Sequence, residues 1–141
     1  MFLAALLSID GEKRLQTLVM GQFTGPIRTL IENHFVFEPF WRAQRDHDAS
    51  ERWKKQFAAG RKTALKALLD GHTGAVLAII FDRLYVLRNQ LIHGGATWNS
   101  AVNRAQVKDG AHLLLALVPI LVELMLDHPE LDFGGILYPV L

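Results

Sequence analysis

Three observations predict an all-α fold. Apolar residues recur at helical spacing along most of the chain, strand-like alternation is nearly missing, and proline, glycine and Asp-Gly signals cut the chain into lengths that suit helices. Half of the 141 residues are apolar, which is one domain's worth of chain with a large surface to bury, some of it between subunits. The expected architecture is an up-and-down bundle of about five helices with an extended C-terminal tail, in a single domain over 1–141.

Asp10 can cap a first full helix carrying Leu15, Leu18, Val19 and Phe23. Thr24-Gly25-Pro26 ends it and opens a second helix running to about Phe35, since proline is tolerated in a first turn. Glu38-Pro39 breaks that helix, with Phe37, Phe40 and Trp41 packed as an irregular corner and Arg42–Ser50 as a loop. Trp53, Phe57, Ala64, Leu65 and Leu68 mark a third helix with basic residues on its other faces, stopped by Asp70-Gly71. Thr73 caps a fourth, with the stripe Leu77, Ile80, Phe81, Leu84, Leu87 and Leu91, ended by Gly94-Gly95. Asn99 or Ser100 caps a fifth, whose stripe is Val107, Ala111, Leu114, Leu115, Val118, Leu121, Val122 and Met125, kinked at Pro119. Residues from Pro129 to Leu141 form the extended tail.

The absence of cysteine excludes disulfides, thiolate metal sites and cysteine nucleophiles, and fits a reducing, cytoplasmic setting. A net charge of +1 gives no global case for a polyanion, but residues 38–70 hold eight basic side chains against five acidic ones. Lys54, Lys55, Arg61 and Lys62 could track an RNA backbone or simply form a wet face. The longest apolar run, Leu113–Val122, is too short to span a bilayer and contains Pro119, so no membrane partner is expected. The histidines show neither a pair four residues apart nor a His-Glu-x-x-His pattern, so no metal site and no cofactor are expected.

One residue breaks the pattern. Arg88 falls four positions after Leu84 and seven after Phe81, on the apolar stripe, where a permanent cation needs an acid, a backbone acceptor, a subunit boundary or an anionic ligand. His93 follows five residues later. At about 100° per residue the two diverge by about 140°, whereas Asn89 and His93 share a face. Acting together, Arg88 and His93 need either a loosened helix end or a composite site built by two chains around a two-fold axis.

The run Arg88-Asn89-Gln90-Leu91-Ile92-His93 resembles the Arg-polar-x-x-x-His signature of HEPN domains. The flanks, Phe81-Asp82-Arg83-Leu84-Tyr85-Val86-Leu87 before it and His93-Gly94-Gly95-Ala96-Thr97-Trp98-Asn99-Ser100, Val102-Asn103-Arg104 and Asp109-Gly110 after it, are similar to the Apea-like branch. So is the proline-bearing tail with Tyr138-Pro139-Val140. The likeness is specific from about Ile79 to Asp127 and looser before. It implies a homodimeric helical bundle and, in active members, metal-independent endoribonuclease activity, with Arg88 and His93 as the catalytic pair and Asn89 as polar neighbour. A stress, phage-defence or toxin–antitoxin role follows, with the identity of any antitoxin open. The alternative is a non-catalytic HEPN module that binds RNA or nucleotide or mediates protein association.

RNA supplies its own nucleophile, so no metal is required. Histidine can take the 2′-hydroxyl proton and assist the leaving 5′-oxygen, arginine can hold the phosphate, and the product would be a 2′,3′-cyclic phosphate. DNA lacks that hydroxyl. Trp98 could stack a base or anchor its loop, and Arg104 could contact RNA or brace the fifth helix. In the plain structural reading, Arg88 pairs with Asp82 or Asp109 and His93 complements the helix dipole.

Overall fold

The computed structural model describes residues 2–10, 13–93 and 101–131, with side chains given for all of these but Phe2 and residues 101–103. Among them every regular element is helical: α1 (Phe2–Ile9), α2 (Arg14–Thr17) continuing as a π-helical turn (Leu18–Gln22), α3 (Thr24–Glu32), a 3₁₀ turn (His34–Val36), α4 (Glu38–Arg45), α5 (Arg52–Leu69), α6 (Thr73–His93) and α7 (Ala101–Asp127). The chain is thus all-α, with seven α-helices where about five are expected from sequence.

The extra helices arise at the breaks. Asp10 does cap, its Oδ1 accepting from Arg14 N at 3.1 Å and its Oδ2 from Leu15 N at 2.8 Å, but a further helix, α1, precedes it. Glu38-Pro39 starts a helix rather than a corner, because proline fits the first turn, where its missing N–H is unneeded. Glu38 near the positive end of α4 and Arg42 and Arg45 near its negative end suit the helix dipole, so Arg42–Arg45 is helical and the loop shrinks to 46–51. The stop at Asp70-Gly71 is as expected, with Gly71 at φ 70°. Gly94-Gly95, Trp98, the Asn99 or Ser100 cap and the tail from Asp132 lie outside the described residues.

A core of Leu6, Leu15, Val19, Ile27, Leu30, Ile31, Ala64, Ala67, Val76, Leu77, Ile80, Leu113 and Leu117 joins all the longer helices. α6 packs on α1, α3 and α5, while α7 leans on α1, α2 and α3. α6 and α7 approach at Gly110, where an added Cβ would sit 3.0 Å from Leu84 Cδ2. α7 buries Gln106, Leu113, Leu117, Leu121 and Leu124, so the expected stripe is corrected by rotation. Leu115 (73% exposed), Leu114, Val118 and Val122 face outward instead. An apolar helix surface on all sides gives periodicity no face to select. The ten-residue run also understates this helix: within Arg104–Asp127 an 18-residue window has a mean hydropathy of 1.8, and the segment is long and apolar enough by length and composition to cross a membrane.

Candidate functional site

α6 carries Arg83 and Arg88 on two different faces. Its buried face reads Val76, Leu77, Ile80, Arg83, Val86, Leu87 and Gln90. The buried arginine is therefore Arg83, 4% exposed, and not Arg88, which is exposed. The guanidinium of Arg83 lies 4.6 Å from the centroid of the Phe37 ring, and its Nε and Nη1 are buried without a hydrogen-bond partner. Burial pushes this group below the ordinary arginine range, and the neighbouring Asp82 carboxylate pulls weakly the other way.

The divergence of Arg88 from His93 is physical. Arg88 lines a groove of about 180 Å³ between α6 and α7, with Leu84, Leu87, Leu91, Val107 and Leu114. Asn89 and His93 line a separate cleft of about 440 Å³ between α4 and α6, with Tyr85 and Gln90 from α6 and Glu38, Trp41 and Arg45 from α4. Tyr85, Asn89 and His93 stand one turn apart on one face, which is why they meet. Arg88 reaches toward that face through one contact, Nη1 donating to Asn89 Oδ1 at 3.2 Å. Among the described residues it forms no ion pair, so the expected structural partners Asp82 and Asp109 do not hold it.

The cleft wall on the α4 side is built on a main-chain atom. The Phe35 carbonyl accepts from Trp41 Nε1 at 2.8 Å and also from Gln90 Nε2. The Trp41 ring packs edge-on to Phe40 with centroids 5.1 Å apart. At the rim Glu38 accepts from Arg42 Nη2 at 2.7 Å and from Arg45 Nη2 at 3.0 Å. These exposed pairs contribute about 1 kcal/mol or less each but fix the carboxylate.

The other expected contact residues are scattered. Lys54 pairs with Glu51 at 2.7 Å and Arg61 with Glu32 at 3.2 Å, while Lys55 and Lys62 are exposed on α5. Arg104 is exposed near the start of α7. Among the described residues no three His, Asp or Glu side chains gather to hold a metal. Sequence reasoning missed Trp41, Arg45, Glu38 and Tyr85 as cleft residues. The spacing of Tyr85 with Asn89 and His93 could have found the last of these, but the α4 residues reach the cleft only through the tertiary fold.

Fold and site thus define an all-helical bundle whose central helix ends in a polar and aromatic cleft. Compared with family models, with characterised proteins and with solved structures, the chain matches none.

Proposed function

We propose that this chain is a metal-independent endoribonuclease acting as a homodimer, with Arg88, Asn89 and His93 at its reaction site. The observation that carries the reading is the Arg88–Asn89 hydrogen bond. A permanent cation, exposed and held by no carboxylate among the described residues, is tied by Asn89 Oδ1 to the helix face that presents His93. An unpaired guanidinium can grip a phosphodiester through a two-pronged contact. Histidine is a side chain suited to take the 2′-hydroxyl proton and return one to the leaving 5′-oxygen, help worth about 10²–10⁴-fold. The 2′-oxygen then attacks phosphorus, the P–O5′ bond breaks, and a 2′,3′-cyclic phosphate and a 5′-hydroxyl result.

The same geometry supports a dimer. Arg88 and His93 open into different grooves of one chain, so a second copy seated on the exposed apolar face of α7 would bring a partner's groups to the Arg88 groove. Leu91 on that groove and Leu115, Val118, Val122 and Leu126 along α7 leave large apolar side chains exposed, as a contact face would.

The test is incubation of purified protein with mixed RNA in EDTA, beside Arg88→Ala and His93→Ala. Cleavage by the wild type, lost in both variants and yielding cyclic-phosphate ends, is expected. Cleavage that survives both substitutions refutes the assignment. A second reading, a non-catalytic RNA- or nucleotide-binding module, is favoured by one observation: the cleft with Trp41, Tyr85, Asn89 and His93 is complete on one chain without Arg88. Salt-sensitive RNA binding without cleavage would support it.

A further inference from the structure

We propose that the cleft between α4 and α6 is a nucleobase subsite, in which one base of the RNA stacks against Trp41 and Tyr85 while its edge is read by Asn89 and the Glu38–Arg45 rim. This deepens the ribonuclease reading and rests on it for the substrate's being RNA.

The volume, about 440 Å³, is in the range of small-molecule sites, and the lining has the composition of one, an apolar floor with a few polar groups around it. Two aromatic side chains come from different helices, one of them 61% exposed. An exposed tyrosine that lines a cleft opposite a fixed tryptophan offers flat π surface to a flat ligand. Trp41 is oriented in advance by its Nε1 bond to the Phe35 carbonyl and by its ring contact with Phe40. A wall fixed in advance loses little freedom on binding.

The rim supplies both hydrogen-bonding senses that a base edge needs. Asn89 Oδ1 already accepts from Arg88, which leaves the amide N–H groups of Asn89 to donate. Each Glu38 oxygen accepts one arginine bond and keeps a further lone pair, and Arg45 retains donors beyond the one it gives Glu38. An aliphatic ligand would leave these groups unanswered. His93 stands two turns beyond Tyr85 on the same helix face, about 12 Å along the axis, so a base seated at the aromatic end directs its ribose and phosphate along α6 toward the imidazole.

The experiment is calorimetric titration of the four ribonucleoside 3′-monophosphates, with inorganic phosphate alone as control, into wild type, Trp41→Leu, Tyr85→Ser and His93→Ala, together with RNA cleavage by each. Circular dichroism identifies any variant that fails to fold, and Tyr85, being exposed, keeps the test open should Trp41→Leu unfold. The expected result is nucleotide binding that exceeds phosphate binding, weakened about five- to hundredfold by loss of one stacking ring, and retained in His93→Ala. Wild-type cleavage should favour one base beside the cut, a preference that Tyr85→Ser flattens. Cleavage without nucleotide binding, and with a base preference unmoved by Tyr85→Ser, overturns the subsite and leaves the ribonuclease standing. Ring-dependent nucleotide binding with no cleavage of any RNA supports the subsite and overturns the ribonuclease. Nucleotides that bind no better than phosphate overturn the subsite whatever the cleavage.

Discussion

Replacing Arg83 with methionine should make the protein more stable. The side chain is 4% exposed, and two of its donors, Nε and Nη1, are buried without partners, each costing about 1–3 kcal/mol of unreturned desolvation. The guanidinium recovers about 0.5–2 kcal/mol from the Phe37 face 4.6 Å away. Methionine has a similar reach, needs no hydrogen bonds and can place sulfur against the same ring. The net gain expected is about 1–4 kcal/mol, as when buried charges elsewhere are replaced by apolar side chains of similar size. For a chain of this length each kcal/mol is worth about 3–6 °C, so thermal unfolding followed at 222 nm should shift upward by at least about 3 °C. A cycle with Phe37→Leu isolates the ring contact: that substitution should cost more in the wild type than in Arg83→Met. A loss of more than about 1 kcal/mol in Arg83→Met would refute the reasoning, because it would mean that the guanidinium is held by bonds worth more than its desolvation.

Asp10→Ala removes acceptors from two backbone N–H groups at the start of α2, and should lower stability by about 1–2 kcal/mol in urea, whereas Asp10→Asn should recover part of it. Leu115→Glu puts a charge on the exposed apolar face of α7 without touching the core; if that face carries the proposed homodimer, sedimentation should show dissociation with the helical spectrum unchanged. Wild type that is monomeric at all concentrations, or that floats with lipid vesicles, would assign that face to another occupant. Asp48 accepts from Ser50 N at 2.8 Å, and bonds from Ser50 hold its carboxyl below the ordinary value. The stabilising effect is therefore present at neutral pH and is lost as pH falls through the depressed value, below about 4. The difference in urea midpoint between wild type and Asp48→Ala should be flat from pH 7 to 5 and shrink in stronger acid; a difference that grows with acid would contradict the assignment.

Local chemistry was legible wherever one residue decides the outcome. Asp10 as a cap and Asp70-Gly71 as a stop follow from side-chain acceptors and a positive φ, and both are present. Glu38-Pro39 signals only a break, because the same proline that ends one helix can open the next. What the sequence left undecided is which side of an apolar helix the fold closes. Both arginines of α6 interrupt apolar rows, Arg83 in the row of Val76, Ile80 and Leu87, and Arg88 in the row of Leu84 and Leu91. Periodicity assigned the buried cation to the second row, whereas packing on α3 and α5 closes the first. α7 posed the same problem more sharply, being apolar all round. The pairing of Asn89 with His93 was legible as a one-turn spacing; the α4 half of the cleft depends on contacts between helices and leaves no periodic trace.

The two bonds that meet on the Phe35 carbonyl have a consequence for how this cleft tolerates change over generations. The anchoring atom belongs to the peptide backbone, so no point substitution at position 35, proline included, can delete it. The Phe35 side chain is itself 45% exposed and packs against the rings of His34 and Phe40. Homologous chains could thus vary at that position and keep an acceptor for both Trp41 and Gln90, while a one-residue insertion or deletion in the short link between α3 and α4 would release both at once. Length, rather than identity, is the inherited constraint there.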